Sequence, residues 1–218
     1  MDARPEYYLF LADLKHSSRL EVEAAKALSA RLEDWLDDWR QRHGNALILG
    51  PSLNYGDEIS ALLAIPDPLF DLAHEMRHIV RPYTDFRFVV AQGPFSVIND
   101  DITQVGGATF KKANDAIGKI TKQNRFCQWL LQDPDMSDVI GALTETTNVL
   151  VRQMTDYQYN VYALLRTGEK QIDIAERLEK SAQSVSDAVK RGAIDEVIDA
   201  EEVIRRQLRK LAQPGEAS

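Results

Sequence analysis

The stretch YYLFLADLKHSSRL, residues 7–20, decides how the rest of the chain is read. Its first half is a short apolar run rich in aromatic residues, which reads as a buried strand. Asp13 closes that run, and Lys15, His16, Ser17, Ser18 and Arg19 follow at once. A carboxylate at the tip of a core strand is either the cap of the next helix or part of a polar site at a sheet edge.

Outward from that stretch, two periods alternate. From Ser18 to about His43 the residues Val22, Ala25, Leu28, Leu32, Trp35 and Trp39 recur at helical spacing, with Gly44 as the stop. ALILGPSL (46–53) and EISALLAI (58–65) flank Asn54-Tyr55-Gly56-Asp57, a hairpin with turn residues at its tip. A short amphipathic helix over about 68–80, a strand FRFVVAQG (86–93) and a long helix from about Gly107 to Leu131 complete the first part. The order βαββαβ predicts an α+β fold of the split βαβ, ferredoxin-like kind, a palm-like domain over residues 1–132. Asp133-Pro134-Asp135 then breaks the chain. A connecting helix over 133–153 and an all-helical domain over 154–213 are expected after it.

Composition narrows the function classes. With 28% charged residues among 218, no apolar run is long enough to span a bilayer. MDARPEYYLFLAD carries Asp13 inside its short apolar run, unlike a signal peptide. The single cysteine, Cys127, excludes an internal disulfide and a cysteine-based zinc site, and a cytoplasmic protein is expected. Of the net charge of −8, residues 151–218 carry −1 and the first 150 residues −7. That balance argues against a chain that coats nucleic acid non-specifically.

In the expected topology the end of the first strand and the hairpin turn share one sheet edge. Asp13, Asp57 and Glu58 would meet there. Clustered carboxylates raise one another's pKa unless a cation neutralises them, and hard oxygen ligands suit Mg²⁺. Ser17 and Ser18 at a helix start, with Lys15 and Arg19 alongside, would suit a phosphate. Ordinary turn chemistry at Asp57-Glu58 and a helix cap at Asp13 are the plainer alternative.

FLADLKHSS (10–18) resembles the first metal-binding motif of class III nucleotide cyclases. YGDEISALL (55–63) is similar to their Gly-Asp hairpin and to the Gly-Gly-Asp-Glu-Phe signature of diguanylate cyclases. With GGATFKKANDAI (106–117), the ensemble over residues 6–131 resembles the SatD-like family of bacterial proteins. The resemblance implies a nucleotide site, with Asp13, Asp57 and Glu58 at the metal and Lys15, Ser17, Ser18, Arg19 and Lys111 near phosphate. The chain departs from the cyclases at Lys111 and Asp115, where they carry the transition-state Asn and Arg. It departs again at Leu53, their base-reading Lys, and at Tyr55, the first Gly of the diguanylate signature. A palm that keeps the carboxylates and lacks these groups looks more like a nucleotide binder than an enzyme.

His74-Glu75-Met76-Arg77-His78 fits H-E-x-x-H, which on a helix presents two zinc ligands. Arg77 would place a charge beside the metal, and the chain continues into a strand instead of a helix with a third ligand. Solvated histidines are expected, without zinc. His16 and His43 show no partner in the sequence, and Cys127 is expected in an amphipathic helix without a nearby His.

The second half carries its own pattern. In residues 154–192 Thr155 caps a helix burying Val161, Leu164 and Leu165, and Gly168 ends it. A short helix follows with Ile172, Ile174, Ala175 and Leu178 inward, then a third, capped by Ser181, with Val185 and Val189 inward. This resembles the helix-turn-helix of sigma-factor region four and LuxR-type regulators, whose last helix enters the major groove. The resemblance implies that Ser181, Gln183, Ser184, Ser186 and Lys190 face DNA, with Arg191 near phosphate. Glu179-Lys180 stands where such turns carry Gly and an apolar residue, and Asp187 would point toward DNA. A plain trihelical packing or dimerisation module is the other reading. The last helix has an apolar stripe wide enough to pair with a second copy. Together these readings predict a dimeric DNA-binding regulator with a nucleotide- or partner-sensing domain. A Mg-dependent nucleotidyl cyclase or nucleotidyltransferase with an accessory helix-turn-helix is the alternative, and a pure protein-interaction module a third.

Overall fold

The structure, a computed structural model, describes residues 6–97, 99 and 101–212. They form two compact units: the residues through Gly141 with those from Leu208 on, and Ala142–Gln207. No described helix is long and apolar enough to cross a membrane.

The first unit is α+β. Its strands are β1 (Tyr7–Lys15), β2 (Leu47–Asn54), β3 (Glu58–Leu63), β4 (Asp85–Gly93) and β5 (Cys127–Leu130), in the sheet order β2-β3-β1-β4-β5. β1 pairs antiparallel with both β3 and β4, and β2 antiparallel with β3. β4 and β5 are parallel. Alternation along β1 sends Leu9 and Leu11 into the cluster that holds Ala113, Ala116 and Ile120 of α3 (Ala108–Lys122). Phe10 stacks instead on Phe88, 5.3 Å between ring centroids, in an aromatic group with Phe86, Phe126 and Trp129. α1 (Val22–His43) and α2 (Leu69–Val80) bury Leu28, Leu32, Trp35, Leu36 and Trp39 from the first and Leu72, Met76 and Val80 from the second.

Three expectations change here. The helix expected from Gly107 to Leu131 stops at Lys122. Asn124 takes a left-handed φ of 52°, and the apolar residues after it form β5. Cys127 therefore lies buried in the sheet and not on a helix. The first helix does not start at Ser18 either. Ser17–Arg19 form a separate 3-10 turn, and α1 begins at Val22, whose side chain stays exposed.

Asp133-Pro134-Asp135 opens α4 (Pro134–Gln153), over the span expected of the connecting helix, and the units divide within that helix. Pro at the first helical position explains this, because its missing N–H costs nothing there. The second unit adds α5 (Asp156–Arg166), α6 (Gln171–Arg177), α7 (Ala182–Arg191) and, as far as Gln207, α8 (Ile194–Ala212). Its core gathers Tyr159, Val161 and Tyr162 of α5, Ile174 and Ala175 of α6, Val185, Ala188 and Val189 of α7, and Ile194 and Val197 of α8. The α8 residues expected to pair with a second copy are thus partly spent inside their own unit. Ile172, expected inward, is 55% exposed. Within this apolar unit Glu201 is only 3% exposed. Tyr162 donates its hydroxyl to Glu201, Arg166 Nε donates to the other carboxylate oxygen at 2.7 Å, and Arg205 lies 3.6 Å away. Such a buried carboxylate persists only when its lone pairs are satisfied.

Candidate functional site

The acidic edge is built by β1 and the β2–β3 turn. Leu14 N–H donates to the Asp57 carbonyl at 2.9 Å, which fixes the turn against the end of β1. Asp13 stands directly between Glu58 of β3 and Arg87 of β4 in the register. The row Glu58–Asp13–Arg87 thus crosses the sheet on one face. Burial pushes the Asp13 carboxyl above its ordinary range; Arg87 and Lys15 pull it down and Asp57 pushes it up. Burial likewise raises Glu58, with Asn54 bonding against the shift and Asp13 and Asp57 adding to it.

Asp13, Asp57, Lys15 and Ser17 there each have a partner. Arg87 Nε lies 3.4 Å from Asp13 Oδ2. Ser17 Oγ donates to Asp57 Oδ2 at 3.0 Å. Lys15, only 7% exposed, reaches Asp85 Oδ2 at 3.2 Å. Ser18 and Arg19 are exposed on the 3-10 turn, away from the start of α1. Lys111 is at the other edge, because α3 begins after β4 ends. From Arg87 to Gly93 the strand climbs about 20 Å at ~3.4 Å per residue, and Gly93 pairs with Tyr7. Among the described residues, no group of three or more His, Cys, Asp or Glu side chains has the geometry to hold a metal ion.

The H-E-x-x-H residues serve packing. Glu75 accepts from Trp35 Nε1 at 3.0 Å and from both terminal nitrogens of Arg42, so it clasps α1 to α2. Arg77 lies over the Phe126 ring at 4.6 Å. Burial lowers the His78 pKa, with Arg31 and Arg81 adding to the shift. His43, expected without a partner, stacks on Trp39 at 4.2 Å.

In the second unit, α7 turns Val185, Ala188 and Val189 inward, so Gln183, Asp187 and Lys190 share the opposite face. Ser181 accepts from Ser184 N–H and caps the helix. Ser184 is half-buried, its hydroxyl 3.2 Å from that of Tyr157, and so faces α5. Ser186 is half-buried on the other flank, while Lys190 and Arg191 are exposed. Asp187 accepts from Gln183 Nε2 at 2.8 Å and lies 3.9 Å from Arg191. Glu179, at the turn between α6 and α7, adopts φ 53°, the conformation a glycine would supply. Sequence spacing missed both the Asp187 contacts and Arg87. The signal for Arg87 was an arginine inside an otherwise apolar strand.

No family model matches the chain, and no curated protein matches it. Among solved structures the chain is similar to that of a regulator of polyketide synthase expression from Bifidobacterium adolescentis. The identity is 13% over 94% of this chain and 86% of that one, with a TM-score of 0.22. At that score the likeness decides neither fold nor function.

Proposed function

We propose that the chain is a DNA-binding regulator in which the second unit reads a duplex and the first senses a ligand or partner. The observation that carries this is α7. It is capped by Ser181, anchored by Val185, Ala188 and Val189, and leaves Gln183, Lys190 and Arg191 exposed beside a tight turn from α6. In this reading α5, α6 and α7 form a helix-turn-helix, and Ser181, Gln183, Ser186, Lys190 and Arg191 face the groove. Ser184 is left to packing. Gln reads a base edge, whereas Lys and Arg neutralise phosphate. The protein acts as a dimer, as two half-sites require, through a surface other than the buried residues of α8.

The four antiparallel strands of the first unit support the ferredoxin-like, palm-like reading. The cyclase alternative gains nothing from its edge, where Asp13 faces Arg87, Asp57 takes a hydroxyl and Lys111 stands at the far end. The test is selection of bound sequences from random duplexes by the full chain. A consensus should emerge, and Gln183→Ala should cost about 1–3 kcal/mol on it and relax one base pair. Absence of any enriched sequence would reduce the second unit to a packing module.

A further inference from the structure

β4, α3 and β5 form a parallel βαβ unit, and ligands of such units bind outside the carboxyl ends of the strands. A cleft of about 690 Å³ opens there, between α3, β5 and the first turn of α4. Its volume is in the ordinary range for small-molecule sites. It is separate from the acidic edge, because β4 runs antiparallel to β1 and ends beside Tyr7. Gly93 makes the place accessible to α3: a Cβ there would lie 2.7 Å from Thr109 Oγ1.

The lining has a definite chemistry. Lys112, Asp115 and Lys119 project from one face of α3, and Asp138 faces them from α4. None of these four is in an ion pair among the described residues. Gln128 Oε1, on β5, is buried without a hydrogen-bond partner. Ala116 and Leu130 supply an apolar floor. Two cations and two carboxylates cancel. A simple anion would meet Asp115 and Asp138, and a simple cation would meet both lysines.

We propose that this cleft binds a small zwitterion, a free amino acid or dipeptide. Its carboxylate meets Lys112 or Lys119, its ammonium meets Asp138 or Asp115, and its side chain lies on the apolar floor. The site stands whether or not the second unit binds DNA.

The test is isothermal titration of the full chain with each protein amino acid and with leucine- and phenylalanine-containing dipeptides. N-acetylated and amidated forms of each binder, AMP and inorganic phosphate form the comparison. At least one zwitterion should bind saturably, and loss of either its ammonium or its carboxylate should weaken it about tenfold or more. The paired substitutions Lys112→Gln with Lys119→Gln, and Asp115→Asn with Asp138→Asn, all at exposed positions, should each do the same while leaving the circular dichroism spectrum unchanged. Which probes bind separates amino acid from dipeptide. Binding of none of the zwitterions overturns the proposal, as does equal binding of the blocked forms, of AMP or of phosphate, or indifference to both paired substitutions.

Discussion

Glu58 carries a pH signature that a single substitution can read. Burial holds its carboxyl above the ordinary glutamate value of 4.5, with Asp13 and Asp57 adding to the shift against the Asn54 bond. A folded-state pKa above the unfolded one means that protonation favours folding. The contribution is complete below about pH 4.5 and is lost as pH rises through the raised value. Glu58→Gln keeps an acceptor for Asn54 and removes the buried charge. Its melting temperature should exceed that of the parent at pH 7 and match it near pH 4; an equal gain at both would show that charge is not the cause. Glu179 gives a second test. A left-handed non-glycine residue costs roughly 1–2 kcal/mol, part of which glycine returns as chain entropy. Glu179→Gly should therefore stabilise the second unit by about 0.5–1 kcal/mol in urea titration. A loss of stability would mean that the Glu179 side chain matters more than its backbone.

The clasp between α1 and α2 shows which parts of an element its sequence discloses. The spacing of Leu28, Leu32, Trp35 and Trp39 was enough to place the buried face of α1, because helical periodicity is local. Local spacing also made His74-Glu75-Met76-Arg77-His78 look like a metal motif. The partner that gives Glu75 its role, Trp35, lies forty residues upstream, beyond any local pattern. Removing that acceptor leaves the N–H of Trp35, a side chain 8% exposed, without a partner. Glu75→Ala should cost about 1–3 kcal/mol, and Glu75→Gln clearly less, since the amide still accepts from the indole. Equal losses in chemical unfolding would assign the clasp to Arg42 instead. The same limit explains β5. Cys127 to Leu130 is too short for periodicity to separate a strand from a helical turn, and its parallel place beside β4 is a tertiary fact. At the acidic edge, topology brought Asp13 and Asp57 together, whereas the reach of Arg87 and Lys15 depended on register across strands.

At the scale of the whole molecule, charge opposes the proposed function. The chain carries −8, and the second unit has no basic surplus to draw it onto DNA. Binding then depends on a few exposed groups of α7, and Asp187 sits in the middle of them. It holds the Gln183 amide and stands 3.9 Å from Arg191. On the proposed reading face such a carboxylate would repel phosphate and also occupy the side chains proposed to read and neutralise it. Asp187→Asn removes the repulsion and frees Arg191 for a backbone contact. On non-specific duplex it should tighten binding about threefold to tenfold and steepen the salt dependence by roughly one ion. Lys190→Ala should do the reverse on every sequence, flattening the dependence by about the same amount. Fluorescence anisotropy over a salt series measures both. If Asp187→Asn leaves affinity and slope unchanged while Lys190→Ala also has no effect, this face of α7 does not meet DNA.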